Sequence, residues 1–244
     1  MEIRIGEQSV SVTMRTPGHD FELAVGYLFT EGLLTSPADL REVKYCTKGT
    51  GAPQEYNIAT VDLRSAVDLD RLRRATVTSS SCGLCGTDSI ENLRTATEPL
   101  NATDGLHLDS STLLTLPDKL RGRQPQFART GGLHGVGLFD ARGNPVVVRE
   151  DVGRHNAVDK VIGSRVLASG ARPELDLSEF ALVVSGRVSF EIVQKAVMAR
   201  IAVIVAVGAP TSLAIDAANE LGVTLVGFTN PTSANLYTNP HRIT

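Results

Sequence analysis

The first hydrophobic pattern along the chain has the period of an amphipathic helix. Within the segment 21–34, apolar residues fall on one helical face at Phe21, Val25 and Leu28. Asp20 precedes this face, and its carboxylate can accept hydrogen bonds from the free N–H groups of a first helical turn. The pattern therefore predicts an N-terminal helix that is capped by Asp20.

After this helix the sequence changes to short segments that favour β-structure. Two such segments, 43–46 and 56–63, are separated by the stretch 47–53, which contains glycine, proline and lysine. A polar run of threonine and serine follows at 78–81 and is typical of a surface loop. This order predicts a small α+β region over residues 1–100.

The second half of the chain alternates between strand and helix patterns. Residues 101–126 hold prolines, a glycine and mixed charges around one amphipathic piece, 110–116, and are expected to connect the two parts. Beyond them, strands are predicted at 146–149, 181–185, 201–207 and 223–228, and helices at 152–162, 189–200 and 212–221. Because neighbouring strands joined by single helices run parallel, residues 127–244 are expected to form an α/β core with a mostly parallel sheet.

Composition and charge describe an ordinary water-soluble protein. Of the 244 residues, 42% are hydrophobic and 21% are charged. The most apolar run, 201–207, is far shorter than the roughly 20 residues that cross a bilayer, and the first residues lack the apolar core of a secretory signal. The net charge of −3 attracts neither nucleic acid nor an anionic membrane. A cytoplasmic protein is expected.

Three predicted strands end in small or turn-forming residues, at 185–187, 208–211 and 228–231. In a parallel sheet these carboxyl ends lie beside helix N-termini, whose free N–H groups favour anionic ligands. Arg187 adds a guanidinium that can bind an oxyanion through two hydrogen bonds. The turns together indicate a nucleotide or pyrophosphate site, although such residues also occur in turns for geometric reasons alone. The glycine-dense stretch 130–137 fits no phosphate-binding fingerprint.

The densest polar cluster in the sequence is 150–160, which follows a predicted strand and opens a predicted helix. Arg154, His155 and Asn156 fall in the first helical turn, where backbone donors and the helix dipole favour an anion. This cluster is therefore a second candidate for ligand binding. The alternative is a solvent-exposed helix start with Asp151 as its cap.

Two of the three cysteines form a Cys-x-x-Cys pair, Cys82 and Cys85. A structural zinc site needs about four ligands, and only Cys46 and scattered histidines remain, so no metal site is predicted. Zinc deaminases carry a His-x-Glu motif that this sequence lacks. A thioredoxin-like redox pair remains an alternative, although no βαβ pattern begins just before it.

A sulfur carrier is the fourth interpretation of the pair. A reactive thiolate can hold a sulfane sulfur as a persulfide, and the neighbouring thiol can then attack it and release sulfide to an acceptor. Cys82 is the better candidate for the persulfide, since a helix that begins near residue 89 would place its N-terminus nearby. The spacing alone leaves sulfur chemistry and an inert pair equally open.

Five segments of the sequence, in order, resemble one known family. They are Met-Arg-Thr-Pro-Gly at 14–18, Cys-Gly-Leu-Cys-Gly at 82–86, Glu-Asp-Val-Gly-Arg-His-Asn-Ala at 150–157, Ser-Gly-Arg at 185–187 and Tyr-Thr-Asn-Pro-His-Arg-Ile at 237–243. They are similar to the formate dehydrogenase accessory sulfurtransferases, the FdhD/NarQ family. The resemblance implies a cytidine-deaminase-like α/β/α core without the deaminase zinc site, and a homodimer.

The resemblance also implies a reaction. Sulfur from a cysteine desulfurase would be carried by Cys82, with Cys85 as its partner, to the bis-molybdopterin guanine dinucleotide cofactor (Mo-bis-MGD) of a formate dehydrogenase. The family's cofactor-binding segment falls on Phe228, Thr229, Asn230, Pro231, Thr232 and Ser233. The strand-end and helix-start patterns add Ser185, Gly186, Arg187, Arg154 and His155 as expected cofactor contacts. A chaperone that binds the cofactor without transferring sulfur, and a thiol–disulfide oxidoreductase, remain as alternatives.

Overall fold

Two β-sheets and the helices packed on them form the part of the protein that the computed structural model describes, residues 1–46, 56–65, 93, 97–101 and 105–244. The strands are β1 (Glu2–Ile5), β2 (Gln8–Val12), β3 (Leu40–Tyr45), β4 (Ile58–Leu63), β5 (His134–Phe139), β6 (Pro145–Asp151), β7 (Ala181–Val184), β8 (Val203–Ala206), β9 (Thr224–Asn230) and β10 (Ser233–Thr238). The helices are α1 (Asp20–Thr30), α2 (Ser110–Arg121), α3 (Pro125–Thr130), α4 (Arg154–Ser169), α5 (Phe190–Met198) and α6 (Ser212–Glu220), with short 3-10 turns at Pro37–Asp39 and Pro240–Arg242.

The larger sheet has the strand order β10-β9-β8-β7-β5-β6. Its centre, β7 to β9, is parallel, as expected for neighbouring strands that are joined by single helices. The α/β fold expected from the sequence is confirmed, but the sheet is more mixed than the helix–strand alternation indicates. β5 runs antiparallel to both of its neighbours because it forms a hairpin with β6, and β10 folds back antiparallel on β9.

The strand β5 lies in the glycine-dense stretch that sequence patterns did not mark as a strand. A Cβ atom on Gly135 would lie 2.3 Å from the side chain of Gln124, and one on Gly137 would lie 2.8 Å from the ring of Phe139. These glycines therefore make room for buried side chains. Their spacing reflects packing in a sheet, which explains why it matches no phosphate-binding loop.

Side chains alternate between the two faces of the larger sheet, as strand geometry requires. Ala181 and Val183 of β7 share an apolar cluster with α2, whereas Leu182 and Val184 belong to the main core with α4, α5 and α6. The larger sheet is thus the middle layer of an α/β/α sandwich. Helix α2 covers one face, and helices α4, α5 and α6 cover the other.

The smaller sheet has the order β2-β1-β4-β3 and contacts α1. Ile3 of β1 and Val61 of β4 are fully buried in the same cluster as Leu28 of α1 and Ile162 of α4. The main core thus joins residues from the predicted segments 1–100 and 127–244. The four side chains have no exposed surface or almost none, so burial of apolar area stabilises both sheets together.

Helix α1 begins one residue before the predicted segment, and the predicted cap is wrong. His19 occupies the N-cap position in the left-handed region, with φ 59°, and no side chain caps the helix. The carboxylate of Asp20 instead accepts a hydrogen bond from Arg15 at 2.7 Å. An ion pair to the preceding loop has therefore replaced the local cap that the sequence pattern favoured.

Helix α2 is longer than its predicted amphipathic piece. It continues to Arg121 through Pro117, and Asp109 caps it by accepting hydrogen bonds from the N–H groups of Ser111 and Thr112. Proline is typical of a connecting segment, but Pro117 is buried within the helix. Packing on the sheet has overridden the local preference of proline for a helix start or a turn.

Helices α1 and α4 cross in backbone contact at two glycines. A Cβ atom on Gly26 would lie 1.9 Å from the carbonyl oxygen of Asp159, and one on Gly163 would lie 1.9 Å from the carbonyl oxygen of Glu22. Real side chains never approach this closely, so only glycine fits at either position. The crossing fixes the N-terminal helix against the helix that follows the polar cluster at 150–160.

Buried charges lie at the same interface and satisfy each other. Lys195 of α5 is 3.0 Å from Asp159 of α4 and 3.1 Å from Glu31, and it donates a hydrogen bond to the hydroxyl of Thr30 at 2.9 Å. Burial alone lowers the pKa of Lys195, but the carboxylates of Asp159 and Glu31 outweigh burial and raise it. The ammonium group therefore stays charged inside the core and connects α5 to α1 and α4.

We expect the substitution Gly163→Ala to lower the melting temperature strongly. Alanine gains at most about 1 kcal/mol over glycine in a helix, whereas overpacking costs about 1–3 kcal/mol or more. The new methyl group would force α1 away from α4. Thermal unfolding followed by circular dichroism measures the change.

Gly132→Ala is the matched control, since a Cβ atom there meets nothing closer than 4.0 Å. Its melting temperature should equal that of the unchanged protein. Equal melting temperatures for the two variants would contradict a backbone contact at the helix crossing.

Candidate functional site

The carboxyl ends of β6 to β9 meet at one edge of the larger sheet, which we call the carboxyl edge. Backbone hydrogen bonds join its turns: the N–H of Gly208 donates to the carbonyl of Gly186 at 3.0 Å, and the N–H of Phe228 donates to that of Gly208 at 3.2 Å. The three turns that the sequence singled out are therefore neighbours. The antiparallel β5 adds its first residue, His134, to the same edge, opposite Asp151 of β6.

The turns approach each other closely enough to require small residues. A Cβ atom on Gly208 would lie 2.8 Å from the carbonyl group of Gly186, and one on Gly227 would lie 2.9 Å from Pro210. The ring of Phe228 and the side chain of Val207 remain on the surface, with 49% and 42% of their areas exposed. The edge thus combines packed backbone with an exposed apolar surface.

The predicted cofactor segment is the end of β9 and the turn into β10. Phe228 has a left-handed backbone, with φ 52°. The side chain of Asn230 accepts hydrogen bonds from the N–H groups of Thr232 and Ser233 at 3.0 and 3.1 Å, which holds the turn, including Pro231, in one shape. Pro231 and Thr232 are exposed, as is Ser233.

Thr229 differs from its neighbours because it is buried. Its side-chain oxygen has no hydrogen-bond partner among the residues that the structure describes. Nearly all buried polar atoms in proteins have a partner, so an unpaired hydroxyl at the carboxyl edge is unusual. It is a free donor and acceptor within the segment that the sequence assigned to the cofactor.

Two helices begin at the carboxyl edge without a capping side chain. Gly153, the N-cap residue of α4, has no side chain that could cap the helix. Ser189, the N-cap residue of α5, makes no capping hydrogen bond with its side chain. Their first backbone N–H groups and the positive ends of their dipoles favour an anion at this edge. Arg187, in the turn before α5, is exposed.

The residues Arg154 and His155, expected in the first turn of α4, lie there. The Nε atom of Arg154 is buried and has no partner in the described part of the chain. His155 Nε2 forms a hydrogen bond with the hydroxyl of Ser189 at 3.0 Å and lies 3.8 Å from Glu191. Sequence patterns missed Ser189, because a helix-start serine is common and no spacing connects it to His155.

The pKa values of two histidines at this edge are lowered. Burial, followed by the charge of Arg154, lowers the pKa of His155 to about 4. Burial and Arg154 also lower the pKa of His134, whose ring lies against Gly186. The hydroxyl of Ser185, at the end of β7, accepts a hydrogen bond from the N–H of Gly135 at 2.9 Å. At neutral pH the imidazole of His155 is therefore uncharged, whereas the guanidinium groups of Arg154 and Arg187 carry positive charge at this edge.

Asp151, at the end of β6, forms a buried ion pair with Lys160 of α4. Lys160 Nζ is 2.7 Å from Asp151 Oδ2, and neither side chain has more than 1% of its area exposed. Asp151 also accepts hydrogen bonds from the N–H of Gly153 at 2.9 Å and from Asn156. The alternative of a solvent-exposed helix start capped by Asp151 is therefore wrong, since Gly153 is the N-cap residue and the carboxylate is buried.

The same residues hold the segment 14–18. Thr16 donates its N–H to Asp151 at 3.0 Å and accepts a hydrogen bond from Lys160 at its carbonyl at 2.8 Å. Asn156 donates to the carbonyl of Met14 at 2.7 Å. Asn156, one of the expected anion-binding residues, thus joins two distant segments. No sequence spacing indicates this contact.

Glu150, next to Asp151, stabilises a different element. Its carboxylate accepts hydrogen bonds from the N–H groups of Gln126 and Phe127 at 3.0 and 2.7 Å, at the start of α3. It therefore caps a helix from outside that helix. The acidic residues of the polar cluster are structural, whereas Arg154 and His155 face the edge region.

Cys82 and Cys85 lie outside the described residues, so their sulfur chemistry stays a prediction. Cys46 is half-buried directly after β3, where its N–H donates to the carbonyl of Ile58 at 3.0 Å. Within the described ranges, no three His, Cys, Asp or Glu side chains are grouped to hold a metal ion. None of the helices described above is both long and apolar enough to cross a membrane.

Comparison with known proteins decides the family. The model of the FdhD/NarQ family matches residues 1–244. The chain belongs to the FdhD/NarQ family. Proteins named sulfur carrier protein FdhD from Streptomyces avermitilis and Mycolicibacterium paratuberculosis are 48% and 47% identical to it. The alignments cover 100% of this chain and 86% and 89% of those proteins.

A solved structure shares the fold. It is described as a formate dehydrogenase accessory protein from Desulfotalea psychrophila, and it superimposes with a TM-score of 0.73 at 24% identity. The alignment covers 100% of this chain and 87% of that one. At this identity the likeness supports the α/β architecture described above.

We expect His155 to titrate with a midpoint near pH 4 in the folded protein. Because this pKa lies below the ordinary value of 6.5, the unfolded chain binds the proton first. The folded state therefore loses stability as the pH falls from about 6.5 towards 4. NMR titration of the imidazole measures the midpoint.

His155→Gln should make the melting temperature less dependent on pH within this window, whereas the exposed His107→Gln should leave the dependence unchanged. A midpoint at or above pH 6.5 would show that the imidazole is not desolvated.

Proposed function

We propose that the protein is a sulfur carrier in the maturation of a formate dehydrogenase. It accepts sulfur from a cysteine desulfurase and transfers it to the Mo-bis-MGD cofactor, which is its substrate and not a resident group. The observation that carries this proposal is the match over the whole chain to relatives named sulfur carrier protein FdhD. We expect it to act in the cytoplasm as a homodimer, as the family resemblance implies.

The sulfur-transfer step is assigned to Cys82 and Cys85. The Cys82 thiolate attacks the outer sulfur of the desulfurase persulfide, and the desulfurase thiolate leaves. The Cys85 thiolate then attacks Sγ of Cys82, and the outer sulfur leaves as sulfide to the cofactor. This second step produces a Cys82–Cys85 disulfide, so a thiol reductant must supply two electrons before the next cycle.

The carboxyl edge is the proposed binding surface for a guanylate arm of the cofactor. Its uncapped helix starts and Arg187 supply donors for the phosphate groups. The exposed ring of Phe228 offers a surface on which a guanine base can stack. Thr229, with its unpaired hydroxyl, is the proposed polar contact within the same segment.

Arg154 and the remaining expected contacts fit the same surface. The buried Nε of Arg154 is a donor without an acceptor among the described residues, and an oxyanion supplies the acceptor it lacks. His155 is neutral, so it contributes a hydrogen bond and not a charge. We assign to Ser185 and Gly186, together with Asn230, Pro231, Thr232 and Ser233, the role of shaping the backbone around the ligand.

Mass spectrometry after incubation with a cysteine desulfurase and cysteine tests the sulfur-transfer proposal. We expect one additional sulfur atom on Cys82. Cys82→Ala should lose it and should fail to activate a formate dehydrogenase, because a thiolate at this position is required for the persulfide.

Cys46→Ala is the control and should retain the added sulfur, since it replaces the half-buried thiol outside the pair. Full activation of the dehydrogenase by Cys82→Ala, with no persulfide on the unchanged protein, would instead indicate a cofactor-binding chaperone.

Binding of GDP, measured by calorimetry, tests the proposed surface. Thr229→Val should weaken GDP binding about tenfold, as expected for the loss of one hydrogen bond to a charged group. It should not lower the stability of the free protein, because the hydroxyl has no partner in the described structure.

Thr238→Val is the matched control. Its hydroxyl donates to the carbonyl of Val223 at 2.7 Å and accepts from the N–H of Leu225 at 3.1 Å. This variant should lose about 1–3 kcal/mol of stability and keep its affinity for GDP. Unchanged GDP affinity in Thr229→Val would remove Thr229 from the binding surface.

A further inference from the structure

A cavity of about 460 Å³ lies against the outer edge of β6, away from the carboxyl edge. Its lining consists of the first five residues of β6 with Glu22 of α1, Arg123 after α2, and Ser164 and Arg165 of α4. The last two residues of β6, Glu150 and Asp151, belong to the polar cluster described above and do not line this cavity. Nothing in the proposed sulfur transfer uses this cavity.

The cavity carries more positive than negative charge. Three guanidinium groups line it, against the single carboxylate of Glu22. Arg149 and Glu22 form a two-point ion pair, with Nη2 donating to Oε1 at 2.7 Å, so their charges cancel. Arg123 and Arg165 form no ion pair with any residue of the described ranges. Two uncompensated positive charges therefore remain.

Arg165 also has a hydrogen-bonding deficit. Its Nε atom is buried and finds no acceptor in the part of the chain that the structure describes. A buried donor normally has a partner, because leaving it unpaired loses the hydrogen bonds that water would have supplied. The missing acceptor and the missing negative charge occur in the same cavity.

From these observations we propose that this cavity is a binding site for a phosphate-type oxyanion, held by Arg123 and Arg165. A dianion balances the two free charges, and its oxygens can accept hydrogen bonds from both guanidinium groups. Arg149 stays paired with Glu22. The volume exceeds that of a phosphate ion, so a phosphate ester of a small organic molecule fits the cavity as well.

NMR of the arginine Nε–H groups tests the site in the full chain. Inorganic phosphate, added to the labelled protein at low ionic strength, should shift the Arg165 Nε–H signal until it saturates. Arg123→Gln should weaken this binding at least about tenfold, since one of two charged donors is lost. Arg123 is exposed, so its replacement leaves the fold intact.

The matched control, Arg187→Gln, removes an arginine at the carboxyl edge and should leave the Arg165 response unchanged. Ribose 5-phosphate forms a second arm: tighter binding than inorganic phosphate indicates an ester ligand, and equal binding indicates the free ion. An Arg165 signal that does not move, or that moves without saturating and equally in Arg123→Gln, overturns the proposal. None of these outcomes depends on GDP binding or on the Cys82 persulfide.

Discussion

The contact between Gly26 and Gly163 is the constraint on which the arrangement of the N-terminal part depends. With α1 in backbone contact with α4, the segment just before α1 is brought over the start of α4. There Thr16 completes the hydrogen bonding of a buried ion pair, Asp151 and Lys160. Larger side chains at the crossing would separate the helices and leave that pair with fewer partners, which is costly for buried charges.

Two of the buried charge groups described above include residues of helix α4. Asp159 and Lys160 are adjacent residues of α4 and have different partners. Asp159 contacts Lys195 and Thr30, and Lys160 contacts Asp151 and Thr16. Polar groups in a core restrict how its elements can pack, because each needs particular partners. Helix α4 is therefore fixed in rotation as well as in position, and the direction of Arg154 and His155 at its start follows from that.

Elements with a simple burial pattern could be predicted from the sequence, and elements shaped by distant contacts could not. The central strands and the helices between them follow from alternation and helical spacing, as in β8 and α6. β5 was missed because its glycines, such as Gly135, replace the apolar side chains that mark a strand. The Asp20 cap was wrong because Arg15, five residues away, competes for the carboxylate. At the site, the turns were predictable from parallel-sheet geometry, but the hydrogen bond between Ser189 and His155 depends on the tertiary fold.

Glu150 and Asp151 limit how far the edge strand β6 can tolerate insertions and deletions. Successive residues of a strand point to opposite sides, and these two carboxylates bind different structures: Glu150 the start of α3, and Asp151 the Thr16 segment. A shift of β6 by one residue against β5 would turn each of these carboxylates to the opposite face of the sheet, away from its present partners. The register between β5 and β6 therefore positions both carboxylates. A single-residue insertion or deletion in this hairpin would disrupt hydrogen bonds on both sides of the sheet.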